Sequence, residues 1–333
     1  MIEVLKYESN YKLLWDDFVK RSKNGSFFHY RDYMEYHSDR FLDSSLLFFE
    51  DDGLVAVMPA NIFQNVLVSH GGLTFGGIVS DQKMKVSLML NLFEQLIAHL
   101  KTQGIAMMIY KAIPHIYHKI PAEEDLCALF RVNARLIGRD FSSTIFLENR
   151  LRFSKGKRWS IRKARRNGLT VRESNHFRAF MLLMKEVLQS RYNIAPTHTG
   201  DELSLLASRF PNNIKLFAVH EGEDMLAGVV TFEHQNLVHT QYIGATDQGK
   251  KVGAPELILD YLVNEYGSKK KYFDFGKSTE KGGWYLNTGL VAYKEGFGAR
   301  SVAYDTYEID VSNGLAKLPA LGSSRDIIKN PRH

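Results

Sequence analysis

The sequence predicts a mixed α/β fold built from two copies of one module. Strand-like and helix-like segments alternate in both halves of the 333-residue chain, which is long enough for two ordinary domains. Short matches recur in the same order: residues 65–70 (NVLVSH) resemble 236–239 (NLVH), and residues 80–86 resemble 246–252. Each match follows a predicted strand and precedes a predicted helix. We therefore expect one module in residues 1–150 and a second in residues 151–333.

The first half has a strand pattern at its start and a hairpin signal in its middle. The acidic Asp-Asp-Gly turn at residues 51–53 joins two apolar runs, as in a β-hairpin. Apolar periodicity predicts helices at residues 11–19 and 86–100, and strands at residues 2–7, 46–49, 54–63 and 105–110.

The second half repeats this alternation. Its predicted helices cover residues 154–166, 176–189 and 255–266, and its predicted strands cover residues 214–219, 225–232, 237–243, 272–275 and 301–309. The tail from Ser312 onward has few apolar residues, so we expect it to be loosely held.

Composition indicates a soluble globular protein of a reducing compartment. Hydrophobic residues make up 44% and charged residues 24% of the chain. The one cysteine, Cys127, excludes an internal disulfide framework and a metal site of several cysteines. The first residues lack the pattern of a signal peptide, and no apolar run reaches membrane length. We expect a cytoplasmic protein.

The net charge of +6 is concentrated in residues 155–167, which read KGKRWSIRKARRN. Such a run suits phosphates, whether of a nucleotide-linked cofactor, an RNA or a lipid headgroup. The alternative is a solvated helix face, which is the commoner explanation of a charge run. The run has no acidic partners at helical spacing, which weakens that alternative.

Residues 272–300 are the stretch most suggestive of chemistry. A short aromatic strand ends at Gly276 and enters a polar, glycine-rich loop, and further aromatic residues and Lys294 follow. A loop with glycines, aromatics and charges at a strand end is where α/β proteins usually bind ligands. The alternative is a bent aromatic hairpin whose glycines only form turns.

A second candidate is the junction between the strand at residues 237–243 and the helix at 255–266. Gly249 and Gly253 flank Lys250, Lys251 and Val252 just before Pro255. Glycines before a helix start leave backbone N–H groups that can bind an anion, which predicts a pyrophosphate site here. A tight turn is the alternative reading of the same glycines.

Taken together, these features resemble the GNAT acyltransferase superfamily, in the tandem arrangement of FemABX-like proteins. The phrase at residues 293–298 (YKEGFG) resembles the aromatic-Lys-x-Gly-Phe-Gly motif of that family. The basic run, Gln241-Tyr242 and the stretch from Phe275 to residue 290 resemble it as well. The resemblance covers most of the chain and implies two tandem GNAT-like domains. The chain shows no heptads for the coiled-coil arm of the staphylococcal Fem ligases, so it looks closer to the GNAT-like branch found in bacterial glycan and lipid biosynthesis.

The resemblance implies an N-acyltransferase of cell-envelope or polysaccharide biosynthesis. It would move an acyl group from acetyl-CoA or another acyl-CoA to an amine of a sugar nucleotide, a lipid-linked glycan or a lipid. The donor side would use Arg162, Lys163 and Arg166 together with the loop from Gly249 to Gly253. Aminoacyl-tRNA is the alternative donor, as in FemABX-like ligases that act on a peptidoglycan precursor. We expect no DNA partner and no metal, whereas tRNA and a peripheral membrane contact remain open as partners.

Amide formation from an amine needs a base, donors for the oxyanion and a proton for the leaving group. The resemblance places Lys294 at the oxyanion and donor phosphates. Glu280 is our candidate base, and Tyr285 or Tyr293 the candidate acid. Each has an alternative: Glu280 as a surface partner of Lys281, and Tyr293 as a core residue.

The first module would contribute the acceptor surface. Its candidate residues are Tyr30, Arg31, His70 and Lys111, and Gln241 and Tyr242 of the second module are candidates for the same surface. His115 and His118 lack a third ligand at metal-site spacing, so we reject a zinc site. A rival of another class is a non-catalytic tandem-GNAT protein that binds RNA or another anion through its basic run.

Overall fold

The computed structural model describes residues 2–312. The remainder of the tail that we expected to be loosely held, residues 313–333, lies outside the described residues. The strands are β1 (Ile2–Lys6), β2 (Leu46–Glu50), β3 (Gly53–Met58), β4 (Asn61–Phe63), β5 (Val66–Val68), β6 (Val79–Ser80), β7 (Met107–Lys111), β8 (Arg135–Phe146), β9 (Arg172–Ser174), β10 (Ile214–Glu221), β11 (Asp224–Glu233), β12 (Leu237–Ala245), β13 (Tyr272–Lys277), β14 (Thr279–Glu280), β15 (Tyr285–Leu286) and β16 (Arg300–Asp310). The helices are α1 (Lys12–Arg21), α2 (Arg31–Met34), α3 (Val86–Thr102), α4 (Glu124–Arg131), α5 (Lys155–Arg166), α6 (Phe177–Tyr192), α7 (Gly200–Arg209), α8 (Asp247–Val252), α9 (Ala254–Glu265) and α10 (Thr288–Glu295).

Ten strands from both halves form one continuous sheet. Their order is β4-β5-β7-β16-β8-β13-β12-β11-β10-β9. A smaller four-stranded sheet, β1-β2-β3-β6, belongs to the first half, and the chain passes from it into the large sheet where Pro59 and Ala60 separate β3 from β4. The hairpin β14-β15 stands apart as a two-stranded ribbon.

The two halves exchange their last strands at the centre of the large sheet. β16 pairs antiparallel with β7 of the first half, and β8 pairs antiparallel with β13 of the second half. β16 and β8 also pair with each other along nine residue pairs. On either side of this pair the order is the same, because β4-β5-β7 and β11-β12-β13 each contain one antiparallel and one parallel pairing.

Three apolar cores hold the layers together. One packs α3, with Leu92 and Phe93, against the first half of the sheet, and another packs α9, with Ile258 and Leu262, against the second half. The third joins both halves, since it includes Phe28 of the first and Phe232 of the second. Burial of this third core fixes the two halves against each other.

The predicted fold class, a mixed α/β fold of tandem modules, is confirmed. The predicted strands and long helices recur with shifted ends, except that the strand expected at residues 54–63 is two strands, β3 and β4, of different sheets. The sequence analysis also missed β8, α4, α7 and α10, among shorter elements. No helix within residues 2–312 is long and apolar enough to cross a membrane.

Candidate active site

The candidate site lies where the parallel strands β12 and β13 part. They pair over only three residues, from Leu237 with Tyr272 to His239 with Asp274. Both strands then become irregular: the β11-β12 register shifts and leaves Gln241 outside the ladder, and the β13-β8 register shifts after Asp274. Bulges bend strands away from their partners. We call the place where these two strand ends part the cleft, since α/β proteins often bind ligands at such a point.

Lys294 reaches this cleft from α10. Its Nζ donates to the carbonyl oxygens of Gly276, at 2.8 Å, and Lys277, at 2.9 Å. The side chain is buried, and burial lowers the pKa of Lys294 to about 8, against an opposing effect of the nearby Asp274 carboxylate. An ammonium has three donors, so one N–H remains for a ligand.

Beside Lys294 lies a buried carboxylate with several donors. Asp274 accepts hydrogen bonds from His239 Nδ1 at 2.7 Å and from Thr144 Oγ1 at 2.7 Å, and also from Ser142 Oγ and the Tyr304 hydroxyl. Burial alone would raise the pKa of Asp274, but the hydrogen bonds from His239, Ser142 and Thr144 outweigh it and lower that pKa. Asp274 is therefore an anion inside the sheet.

Gly276 lies next to both Lys294 and His239. Its φ of +75° is in the left-handed region, and a Cβ here would lie 2.9 Å from His239 Cε1. Its carbonyl is one of the two that Lys294 binds. Only glycine allows the backbone to pass this close to the imidazole.

The sequence analysis missed His239 and Asp274. Their hydrogen bond joins neighbouring strands across 35 positions of the chain, which no local pattern predicts. The usable signal was Asp274 itself, because a carboxylate among aromatic residues of a buried strand must have partners.

Glu280 and Tyr285 lie together on the rim, opposite each other in the β14-β15 hairpin. Both side chains are exposed, and Trp284 between the two strands is 88% exposed. The hairpin is held to β8 by Thr279 Oγ1, which donates to Asp140 at 2.7 Å. The structure thus places our candidate base and one candidate acid at the edge of the cleft, in water.

Tyr293 has different neighbours from Lys294. The Lys157 ammonium lies 3.3 Å from the centre of its ring, and burial, with Glu256 nearby, raises the pKa of its hydroxyl. Lys157 also donates to Glu256 at 3.0 Å. Consecutive helix residues point about 100° apart, so α10 directs Tyr293 toward α5 and α9 while Lys294 faces β13.

Gly249 to Gly253 form a helical turn instead of the loop that we expected. Lys250 and Lys251 lie in α8, where the Gly249 N–H donates to Thr246 Oγ1 at 2.9 Å and the Lys250 N–H to the Thr246 carbonyl. A Cβ on Gly249 would overlap the Leu226 carbonyl, and one on Gly253 the Ser160 carbonyl. These glycines permit close packing, and binding of donor phosphates by this turn stays a prediction.

Helix α5 presents the other predicted donor residues. Ile161 and Ala164 face the core, whereas Arg162 and Arg166 are exposed and Lys163 lies 5.3 Å from the Trp159 ring. Other basic residues of α5 are paired, Arg165 with Asp260 at 2.6 Å for example. The arginines of α5 and of the segment before it line a separate cavity of about 420 Å³; they are Arg150, Arg152, Arg158, Arg162 and Arg165.

On the proposed acceptor side, Arg31 is a structural residue. Its guanidinium lies over the Tyr7 ring at 3.7 Å, and it pairs with Glu35 and Asp43. Tyr30 is half-buried and stacks on Phe210. The Arg31 side chain is therefore buried and already paired, which argues against the prediction that it contacts an acceptor.

In the first half, His70 and Lys111 lie where β5 and β7 part, which corresponds to the cleft between β12 and β13. Here the chain itself fills the space. β5 and β7 also pair in parallel over three residues, but there the segment after His70 returns and the Gly76 N–H donates to the Lys111 carbonyl. Burial and the neighbouring His37 lower the pKa of His70 to about 3, and burial and Lys277 lower the pKa of Lys111 to about 8. Lys111 Nζ donates to the Leu73 carbonyl.

Gln241 and Tyr242 both lie on β12 just past His239. Gln241 is the bulged residue, and the Tyr242 hydroxyl contacts His198 Nδ1 at 2.7 Å. Of the predicted substrate residues, these two lie on a strand that forms the cleft. Within residues 2–312, no group of three or more His, Cys, Asp or Glu side chains could hold a metal ion.

Comparisons with known proteins agree with this picture. Residues 152–295 match the family model described as an acetyltransferase (GNAT) domain. FemX has a TM-score of 0.65 at 11% identity, with 92% of this chain and 97% of FemX covered. L-PGS from Bacillus licheniformis has a TM-score of 0.53 at 13% identity, with 80% and 83% covered. A conserved protein of unknown function from Bacteroides thetaiotaomicron VPI-5482 has a TM-score of 0.58 at 11% identity, with 92% and 99% covered. No curated protein matches the sequence.

The part of the chain that holds the parted strands thus matches the model of a GNAT acetyltransferase domain, and the chain as a whole has a fold similar to that of FemX. The predicted resemblance and the predicted class, a GNAT-type N-acyltransferase, are confirmed at that level. At these identities the solved structures show the fold alone.

Proposed function

We propose that this protein transfers an acyl group from an acyl thioester, with acyl-CoA as its donor, to an amine used in cell-envelope biosynthesis. The observation that carries the proposal is the buried Lys294 ammonium at the point where β12 and β13 part. The acceptor amine would belong to a sugar nucleotide, a lipid-linked glycan or a lipid. We infer a cytoplasmic enzyme from the single, free Cys127.

Lys294 suits the electrostatic part of this reaction. Attack by an amine places negative charge on the former carbonyl oxygen, and the third N–H of Lys294 can donate to it. The two main-chain carbonyls already hold the side chain, so no reorganisation is needed when the charge forms. Burial strengthens the interaction because the local dielectric constant is low.

The rim of the cleft supports a large or amphiphilic acceptor. The β14-β15 hairpin and the adjoining turn of α10 expose apolar and aromatic side chains, namely those of Trp284, Tyr285, Leu286 and Leu290. Aromatic faces stack on sugars and on lipid chains alike, so the proposal includes both kinds of acceptor. For the phosphates of the donor we propose Arg162, Lys163 and Arg166 on α5.

The exposed basic residues of α5 support a second candidate. Arg162 and Arg166 are exposed, as a tRNA-binding surface requires, and aminoacyl-tRNA is then the donor. The same residues would serve a non-catalytic RNA-binding protein. Neutralising Arg162, Lys163 and Arg166 together should weaken tRNA binding and flatten its salt dependence in both cases, whereas Lys294→Met should stop turnover only in an enzyme.

A thermal-shift comparison tests the donor. Ligands that bind only the folded state raise the melting temperature, so acetyl-CoA, longer acyl-CoAs, free CoA and deacylated tRNA are compared at matched concentrations. We expect stabilisation by CoA species. Stabilisation by tRNA alone would favour the aminoacyl route, and no shift with either would overturn the donor proposal.

A further inference from the structure

We propose that His239 is the general base of this site and that Asp274 positions it. The inference rests on the proposed function, since it names the group that makes the acceptor amine nucleophilic. His239 is the catalytic residue of the pair, because it would touch the amine, and Asp274 acts through it.

The hydrogen bond fixes the tautomer. His239 Nδ1 lies 2.7 Å from Asp274 Oδ2, and an anionic carboxylate can only accept, so Nδ1 carries the proton. Nε2 then has a free lone pair. The imidazole keeps 14% of its surface exposed, whereas the Asp274 side chain has none. A buried carboxylate that orients a partly exposed histidine is the arrangement expected of a base and its positioning group.

The position of the imidazole is set by the strands. His239 and Asp274 form the last pair between β12 and β13, so the imidazole ring lies where the two strands begin to part. The Gly276 main chain passes the imidazole edge and offers its carbonyl to Lys294. A substrate bound between the strand ends would therefore meet both groups.

The groups around the imidazole include one carboxylate that contacts it. The groups that face His239 are Asp274 on β13, Lys294 held at Gly276, and His234 just before β12, whose pKa burial and His239 lower well below its usual value. Tyr304 on β16 donates to the same carboxylate. Asp274 is the carboxylate in contact with the ring, and it stabilises the imidazolium once the proton arrives. Within residues 2–312, the exposed Glu280 of the rim has no comparable set of hydrogen-bond partners.

Protons and electrons balance in the proposed acyl transfer. The acceptor ammonium loses one proton to His239 Nε2, and its nitrogen lone pair forms a bond to the thioester carbonyl carbon, whose π electrons move to the oxygen. That oxygen is stabilised by Lys294. When the carbonyl re-forms, the C–S bond breaks and the sulfur leaves with the electron pair. The second proton of the attacking nitrogen goes to the thiolate, and the proton on His239 is released to solvent, so the products are amide, thiol and one proton.

The first test compares His239→Gln with His220→Gln, a histidine on strand β10 of the same sheet. General bases contribute about 10²- to 10⁴-fold, so His239→Gln should lower kcat/KM by that factor and remove the acid limb of the pH profile, with little change in melting temperature. His220→Gln should keep both. A folded His239→Gln variant with wild-type rate and pH profile would overturn the proposal.

Asp274→Asn tests the positioning role. It removes the counter-charge of the imidazolium, so the acid limb of the pH profile should move to lower pH while the rate decreases. A group that only held the strands together would change stability without moving that limb. A lower melting temperature with an unmoved acid limb would therefore reject this role.

The second test needs no substrate. In protein labelled with ¹⁵N-histidine, the neutral form of His239 should show a protonated Nδ1 and a bare Nε2, and His239→Gln assigns the signal. A protonated Nε2 would exclude the role as base, whatever the reaction. Conversely, the expected tautomer in a protein that acylates no amine would leave the dyad standing while the proposed function fails.

Discussion

At the scale of single residues, the candidate site depends on Gly276. Its carbonyl binds Lys294 and its missing side chain makes room for His239. The geometry of oxyanion donor and proposed base therefore follows from one position where a side chain cannot be accommodated.

Gly276→Ala should reduce activity by more than its effect on stability explains. The substitution costs about 1–2 kcal/mol for the left-handed conformation, and the new Cβ displaces His239 or its own strand. A displacement near 1 Å can lower the rate about 10²-fold. Gly222→Ala is the matched control, because Gly222 has a φ of +61° with open space around it. Equal activity losses in the two variants, each measured with its melting temperature, would speak against this account of Gly276.

Lys294 should make activity and stability respond to pH in opposite directions. Burial lowers its pKa from 10.5 to about 8, so between these values the unfolded chain binds more protons than the folded one. Stability relative to Lys294→Met should therefore rise as pH increases from about 8 toward 10.5. Activity should fall over the same range, because the ammonium that stabilises the oxyanion is lost.

Denaturant unfolding and initial rates, both measured from pH 7 to 10, check this prediction. Wild-type activity that stays constant above pH 9 would show that the protonated form of Lys294 is not required. The Lys294→Met variant supplies the baseline for stability, since every other group titrates in both proteins.

At the scale of elements, helix α8 illustrates that one glycine pattern can have two explanations. The sequence offers Gly249 and Gly253 before a helix, which is also what a phosphate loop offers. The structure shows that the first glycine packs on β11 and the second on α5. Both positions require glycine because each lies against backbone that is distant in the sequence. A local sequence pattern does not show such contacts.

Gly249→Ala should therefore destabilise the protein rather than weaken donor binding. Its Cβ would overlap the Leu226 carbonyl, and overpacking of this kind costs about 1–3 kcal/mol. Gly156→Ala on α5, where nothing lies within 4 Å, should instead be neutral or stabilise by up to about 1 kcal/mol. Thermal unfolding and the KM for the donor are measured for both. Wild-type stability with a raised KM in Gly249→Ala would restore the phosphate-loop interpretation.

The elements that the sequence analysis missed share a physical cause. β8 lies at the centre of the large sheet yet contains Arg135 and Arg139, which pair across the ladder with Glu308 and Asp305 of β16. Because the first half of β8 is largely exposed and its charges pair with a strand far along the chain, a local window shows no apolar strand pattern there. By contrast, the β10-β11 hairpin, α9 and β13 were predictable, because their apolar patterns and turns are local. Of the site, Lys294 was found through its motif, whereas the hydrogen bond of His239 to Asp274 required the fold.

At the scale of the whole molecule, the exchange of β8 and β16 makes the halves interdependent. Each half completes its part of the sheet with a strand from the other, and the core that includes Phe28 and Phe232 crosses between them. The proposed division into residues 1–150 and 151–333 thus separates sequence modules that share one sheet.

We expect one cooperative unfolding transition for the full chain. Residues 1–150 alone would leave β7 without β16, and residues 151–333 alone would leave β13 without β8. Calorimetry should give equal calorimetric and van't Hoff enthalpies, and neither fragment should fold by itself. Two separate transitions, or a folded fragment of residues 1–150, would contradict this expectation.

The central claim is that the Lys294 ammonium at the parted strands carries acyl transfer. The most direct measurement is the rate of amide formation by Lys294→Met, compared with Lys270→Met. Lys270 also donates to two main-chain carbonyls, those of His234 and Gln235, so its variant controls for the loss of such contacts. The account predicts a folded Lys294→Met protein slowed by about 10²-fold or more and a Lys270→Met protein with the wild-type rate. A folded Lys294→Met protein that forms amide at the wild-type rate would contradict it.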